Sequence, residues 1–329
     1  MSLLLKNTKA VTLAPPVIEE CDIRVDEGTI VDRARRLKPR RDDEVVDLQN
    51  RIVMPGFVCS HTHLYSALSR GMPAPRSAPR NFAEILQKVW WKLDEALDEE
   101  SIYYGALVGA IESVKFGTTT LIDHHASPNF IRGSLDLIKH ALRQVGLRGV
   151  LCYETTDRGG KKRRDLGLEE NERFVTENAS NPHFRGTIGA HASFTLGDDS
   201  LARLGELAGM YDCGVHIHVA EDKADVVDSV EKHQKGVVER LKKFGVLRKK
   251  SLFVHGVHLS RKQLTQVEKA GAWMIHNPRS NMNNGVGYAP LSWYGEHSAL
   301  GTDGFPSDMF EESKFGYFRN AESNFRTEL

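Results

Sequence analysis

The chain has 329 residues, 40% of them hydrophobic and 27% charged, enough length and apolar content to bury a sizeable core. Its 44 basic and 44 acidic residues cancel, so no overall field favours nucleic acid or an anionic membrane, and a small molecule is the expected partner. The apolar runs are short, no signal-peptide pattern opens the chain, and the four cysteines (Cys21, Cys59, Cys152, Cys213) include no CxxC pair, which argues against a thiolate zinc site and predicts a cytoplasmic protein with reduced thiols.

The first fifty residues carry short strand-like runs at 10–13, 21–25 and 28–31, separated by Pro and Gly turns, and read as a partial β-sandwich domain over 1–55. From 56 to 329 the rhythm changes. Strand-like runs at 57–60, 118–122, 147–153, 186–190, 214–219, 251–257, 272–275 and 298–300 alternate with helical patterns at 82–93, 102–116, 135–145, 199–211 and 234–244. In the second of these helices Ile102, Ala106, Ala110 and Val114 recur at the spacing of a buried face. Eight strands alternating with helices predict a parallel sheet, and closure into a (β/α)₈ TIM barrel removes its edges; a doubly wound open sheet is the alternative. The basic, glycine-containing segment 157–164 reads as a solvated loop. Trp90 and Trp91, at helical spacing with Leu86 and Leu93, read as core packing, as does Trp273 in its strand; Phe305 and Trp293 lie in loops where either can stack on a planar heterocycle.

His61-Thr-His63 follows the first of the eight strands, and alternation along extended backbone sends both imidazoles to one side, where they can share a cation. With 14 histidines in the chain, one such pair is expected by chance about 0.6 times. A second pair, His216-Ile-His218, ends the fifth strand with Glu221 three residues on. His191 ends the fourth strand, His255 the sixth, and Asp303 follows the eighth. In a barrel those ends converge on the face that carries the chemistry.

The segments Pro55-Gly-Phe-Val-Cys-Ser-His-Thr-His63, His216-Ile-His-Val-Ala-Glu221, Val254-His-Gly-Val-His-Leu259, His276-Asn-Pro-Arg-Ser-Asn281 and Gly301-Thr-Asp-Gly304 resemble the amidohydrolase superfamily, in its deaminase and chlorohydrolase branch. His124-His125 after Gly117-Thr-Thr-Thr, with Asn281-Met-Asn-Asn-Gly285, is most similar to SsnA-type aminohydrolases. The resemblance implies a mononuclear site with His61, His63, His218 and Asp303 as metal ligands, Glu221 as proton shuttle and His255 as a partner of the metal-bound water. It also implies that His191 faces substrate, since His191 stands where binuclear relatives place a bridging carboxylated lysine. Three neutral imidazoles and a carboxylate independently suit Zn²⁺, with Fe²⁺ as the other choice, and leave room for a water whose pKa the metal lowers to about 7. Asp303 and Glu221 then divide base and acid work.

Arg279 and Asn281 are expected to touch substrate. His125 is a further substrate-facing candidate, although either His124 or His125 can equally hydrogen-bond a neighbouring loop. Asn277 and Pro278 are expected to shape the turn. Such relatives continue for roughly a hundred residues past the eighth strand, so the C-terminus reads as truncated, and the protein as a possible homo-oligomer. The expected reaction is hydrolysis of a C–N bond in a purine-like heterocycle by metal-bound hydroxide. The alternatives are a dechlorinating or amidine-hydrolysing relative, and a non-catalytic metal-binding barrel.

Overall fold

Alternating burial of Leu4, Thr8 and Ala10 lays down the first strand, β1 (Ser2–Leu13), of an N-terminal sheet. It pairs antiparallel with β2 (Pro16–Asp26), which pairs antiparallel with β3 (Thr29–Ala34). On its other side β1 runs parallel to β4 (Asp43–Asp47) and β5 (Ile52–Val53). A buried Arg24 ties β2 to Asp32 and Asp43. The protein is described by a computed structural model over residues 2–324, and its contacts divide it into two units, Met1–Gly56 and Phe57–Leu329.

In the second unit β6 (Phe57–Thr62), β7 (Thr118–His125), β8 (Arg148–Tyr153) and β9 (Phe184–Gly186) form one parallel sheet. A second consists of β10 (Ile188–Ala192), β11 (Val215–Val219), β12 (Leu252–His255), β13 (Trp273–His276) and β14 (Ser298–Leu300), again parallel throughout. Two isolated parallel bridges, Thr62 with Asp303 and Thr155 with Ala190, join the two sheets at both margins. At the first margin the Thr302 amide donates to the His61 carbonyl (2.8 Å) and the His63 amide to the Asp303 carbonyl (3.0 Å). Gly301 permits that approach, since a Cβ there would lie 2.7 Å from His61 Cβ.

Burial on both faces explains the near-continuous apolar strands. Along β11, Val215, Ile217 and Val219 pack into a cluster with Leu201, Leu204, Val238 and Leu241 of the covering helices, which leaves His216 and His218 for the opposite face. A matching cluster packs Leu121 and Leu151 against helix Glu99–Lys115, whose start is fixed by reciprocal bonds between Asp98 and Ser101, and against helix Ser134–Val145.

Several expectations are corrected. The basic segment 157–164 runs into helix Gly160–Glu177: Lys161, Lys162 and Arg163 form its wet first turn, while Leu168, Asn171 and Phe174 bury the same helix further on. The stretch 234–244 is two elements, because Gln234 adopts φ 51° and ends helix Lys223–His233 before Val237–Lys243 begins. The sixth strand stops at His255, where His255 and Gly256 both turn left-handed (φ 73° and 60°). All four cysteines are free, and no helix among the described residues is long and apolar enough to cross a membrane.

Candidate metal centre and active site

The two HxH pairs and the residue after β14 meet at one point. His63 Nε2 and His61 Nε2 each lie 3.3 Å from His218 Nε2, and Asp303 Oδ1 lies 3.1 Å from His63 Nε2 and 3.7 Å from His61 Nε2. A tetrahedral cation with ligand bonds of 2.0–2.1 Å has ligand-to-ligand edges of about 3.3 Å, so the four residues fit such an ion. The outer nitrogens are all engaged. His63 Nδ1 donates to the His124 carbonyl (2.6 Å), His218 Nδ1 to the His191 carbonyl (2.9 Å), and His61 Nδ1 meets His216 Nε2 at 2.8 Å. In their neutral forms His63 and His218 therefore turn Nε2 lone pairs toward the same point, and His61 does so as well when its Nδ1 is the donor to His216; lone pairs set against each other at 3.3 Å are relieved by a shared cation. Burial pushes His61 down to about 3 and His218 well below the usual imidazole range, which favours the neutral, ligating form. At His63 burial acts the same way but Asp303 outweighs it and lifts the group to about 9, the same negative field that favours a cation at that point.

Three residues here hold left-handed backbone: Ala220 (φ 48°), His255 (φ 73°) and Asp303 (φ 54°). Each costs on the order of 1–2 kcal/mol, and the cost recurs where strand ends aim side chains inward. The turn at Asp303 is thus carried by the aspartate itself rather than by Gly301 or Gly304. Asp303 does not cap the following helix; Asp308 does, accepting from the Glu311 amide (3.0 Å). Burial would raise Asp303, but the neighbouring imidazoles of His61, His63 and His255 outweigh it and hold the group well below the usual carboxylate range. Its Oδ2 accepts from the Ser280 hydroxyl.

Beside this set, Glu221 Oε2 lies 3.4 Å from His255 Nε2, which is 3.8 Å from Asp303 Oδ2. Burial pushes the Glu221 carboxyl up to about 7, with His255 opposing and Asp303 adding to the rise, and Asn284 donates to its other oxygen at 3.2 Å. His255 Nδ1 is fixed by Asn281 Oδ1 (2.8 Å), whereas its buried Nε2 has no hydrogen-bond partner.

A cavity of about 280 Å³ opens on His63, His218, Glu221 and Asp303. His191 lines it, with Nδ1 bonded to Thr195 Oγ1 at 2.7 Å. Phe305 lines it as well, while Trp293 is not among its walls. Trp90 and Trp91 pack against a buried cluster that includes Phe82 and Leu86, as read from their spacing, and both also line the cavity, where Arg158 stacks on the Trp91 ring at 4.4 Å.

Three of the predicted substrate contacts are elsewhere. His125 is wholly buried away from the cavity, Nε2 against Ser127 Oγ (2.8 Å), because adjacent strand residues face opposite sides and it is His124 that turns toward the histidine cluster. Arg279 is consumed by a buried ion pair with Glu312, a second with Glu311 and a bond to the Pro306 carbonyl. Asn281 serves His255 rather than a ligand.

The structure also adds residues that the sequence reading passed over. Glu154, directly after β8, lines the cavity between His124 (3.3 Å) and His191 (3.7 Å), and these neighbours with Arg158 outweigh burial and hold it well below the usual range. The same look at strand ends would have found it. Asp94, from the helical stretch Trp91–Ala96, lines the wall with a buried Oδ1 that has no partner; burial first and Glu154 second raise it to about 7.

Sequence comparison agrees with this geometry. A profile of the amidohydrolase family matches residues 52–328. The chain is 32% identical over 323 residues to a 5-methylthioadenosine/S-adenosylhomocysteine deaminase of Thermococcus sibiricus, covering 95% of this chain and 73% of that one. Among solved structures it is similar in fold to a guanine deaminase of C. acetobutylicum with bound guanine (TM-score 0.86, 17% identity, 100% of this chain and 82% of that one). It is likewise similar to an adenosine deaminase of Xanthomonas campestris with bound Zn (TM-score 0.81, 23% identity, 98% and 74%). With its histidines and carboxylates gathered at the strand ends and its sequence matched along most of its length, the chain belongs to the amidohydrolase family, as a hydrolase of carbon–nitrogen bonds of the deaminase kind.

Proposed function

We propose that the second unit is a closed (β/α)₈ barrel that holds one divalent cation, Zn²⁺ or Fe²⁺, on His61, His63, His218 and Asp303, and that it hydrolyses the amino group from an adenosine-like nucleoside. The two inter-sheet bridges support closure. One ion is favoured because each other grouping of nearby ligands shares His63, His218 or Asp303 with the four-residue set and so is not an independent site. The observation that carries the reading is that a single cavity brings together three of the four proposed ligands, His63, His218 and Asp303, the carboxyl of Glu221 and a wall of Trp90, Trp91, Phe194 and Phe305 suited to a planar ring.

Bound there, the cation supplies Lewis acidity that makes water nucleophilic near neutral pH. Asp303 takes a proton at its carboxylate, and Ser280 keeps that carboxylate turned toward the ligands. Glu221, with Asn284 on one oxygen and the other free toward His255, delivers a proton to a ring nitrogen or to the departing amine. His255 offers its unpaired Nε2 to the attacking water, and Asn281 fixes its ring. His191 and the unpartnered Asp94 Oδ1 face the rest of the substrate, and an acceptor that lacks a partner suits a sugar hydroxyl. Ammonia release from adenosine, 5′-deoxyadenosine, 5-methylthioadenosine, S-adenosylhomocysteine, guanine and a chlorotriazine, assayed on zinc-loaded protein, tests the reading. Turnover of the nucleosides supports it; chloride release from the triazine with no ammonia from any purine would replace it.

A further inference from the structure

His216 is the one member of the two HxH pairs that neither joins the ligand set nor lines the cavity, yet it is fully buried at the centre of the unit. Its hydrogen bonds can be assigned completely. If His61 presents its Nε2 lone pair to a cation, its Nδ1 carries the proton and donates to His216 Nε2 at 2.8 Å. A neutral His216 that accepts at Nε2 must be protonated at Nδ1, and that nitrogen lies 3.6 Å from Cys152 Sγ, within reach of a sulfur acceptor. Cys152 in turn directs its S–H to the Asp123 carbonyl at 3.5 Å. The proton order runs one way without conflict: Cys152 to backbone, His216 to Cys152, His61 to His216.

The opposite tautomer of His216 would set N–H against N–H across 2.8 Å. The other two ligand histidines are anchored by backbone carbonyls, so His61 is the only ligand imidazole whose orientation depends on a side chain. We infer that His216 is a positioning residue for the metal ligand His61, with Cys152 fixing its tautomer. The inference rests on the proposed ligand set.

The test compares His216→Gln, which carries an oxygen to the place of Nε2, with His216→Asn, whose amide ends at the place of Nδ1, and with His216→Leu. Zinc affinity is measured by competition with a chelator, and the Co²⁺-substituted proteins are compared by visible spectroscopy. Zinc binding to Gln within about threefold of wild type, with Asn and Leu weaker by about 10–100-fold and altered Co²⁺ bands, is the expected result. Equal affinities of the Gln and Asn variants would overturn the inference, and that pair decides even if the Leu variant does not fold. If wild type binds zinc normally, such a result leaves the ligand set standing; a wild type that binds no zinc removes the ligand set and this inference together.

Discussion

Asp123 gives the sharpest quantitative prediction, because its carboxyl is wholly buried on β7 with one oxygen satisfied and one not. Oδ1 accepts from the Leu64 amide at 2.8 Å, next to the proposed ligand His63, while Oδ2 has no partner. Burial pushes the group from 3.8 up to about 7, against the smaller pulls of the Leu64 amide and His63. The folded protein therefore holds a proton that the unfolded chain has released between those values. The stability this proton contributes is fully present below about pH 3.8 and is lost as pH rises through about 7, with a slope of up to about 1.4 kcal/mol per pH unit. Asp123→Asn mimics the protonated carboxyl, so it removes that slope. The variant should match wild type only below about pH 3.8, be more stable by about 1 kcal/mol near pH 4.5, and be more stable at pH 8 by on the order of 4 kcal/mol as an upper bound. Urea midpoints of both proteins from pH 4.5 to 8.5, at one fixed metal concentration, measure the difference, and the contribution of Asp225, also raised to about 7 by burial, cancels in it. Parallel curves for the two proteins would refute the assignment.

Glu221→Gln should lower kcat by about 10²–10⁴-fold with metal content unchanged, since Glu221 is placed to move protons and lies outside the ligand set; loss of metal in the variant would make it a ligand. Asp303→Asn should cost a similar factor at saturating metal, and near-wild-type turnover of that variant would remove Asp303 as base. Arg279→Met should destabilise the fold by about 3–5 kcal/mol, because it strands the buried carboxylate of Glu312; an unchanged melting temperature with a raised KM would restore a substrate role to Arg279. Trp91→Ala should raise KM more than tenfold with little change in melting temperature, on a loss of about 1.4 kcal/mol or more of ring contact, whereas a core role predicts the reverse.

The gathering of the site obeys a strict rule. Residues two apart on a strand share a face, and the ends of parallel strands gather on one side, so strand positions alone placed His61, His63, His191, His216, His218, His255 and Asp303 at one rim, while the resemblance to the amidohydrolase superfamily singled out His61, His63, His218 and Asp303 as the proposed ligands. Glu154 obeys that rule too, and its position right after β8 made it readable. His124 and His125 show where the rule stops. One of two neighbours must face away, and the strand register that decides between them depends on partners distant in sequence. Arg279 illustrates another limit, for its fate is set by Glu311 and Glu312, over thirty residues away on a different helix. Asp94 and Trp91 come from the irregular helix pair over 82–96, where helical spacing alone cannot tell a cavity wall from a core. In the basic segment at 157–164 charge masked the start of a helix whose apolar face begins later.

The proposed chemistry depends on one cation among His61, His63, His218 and Asp303. Anomalous diffraction at the zinc edge from crystals of zinc-loaded protein, with metal content measured on the same preparation, tests it most directly. The account predicts about one equivalent and a single strong peak within about 2.0–2.2 Å of the three Nε2 atoms and Asp303 Oδ1. Two tightly held equivalents, or a peak bonded to Glu154 and His191 in place of His61 and Asp303, would contradict it.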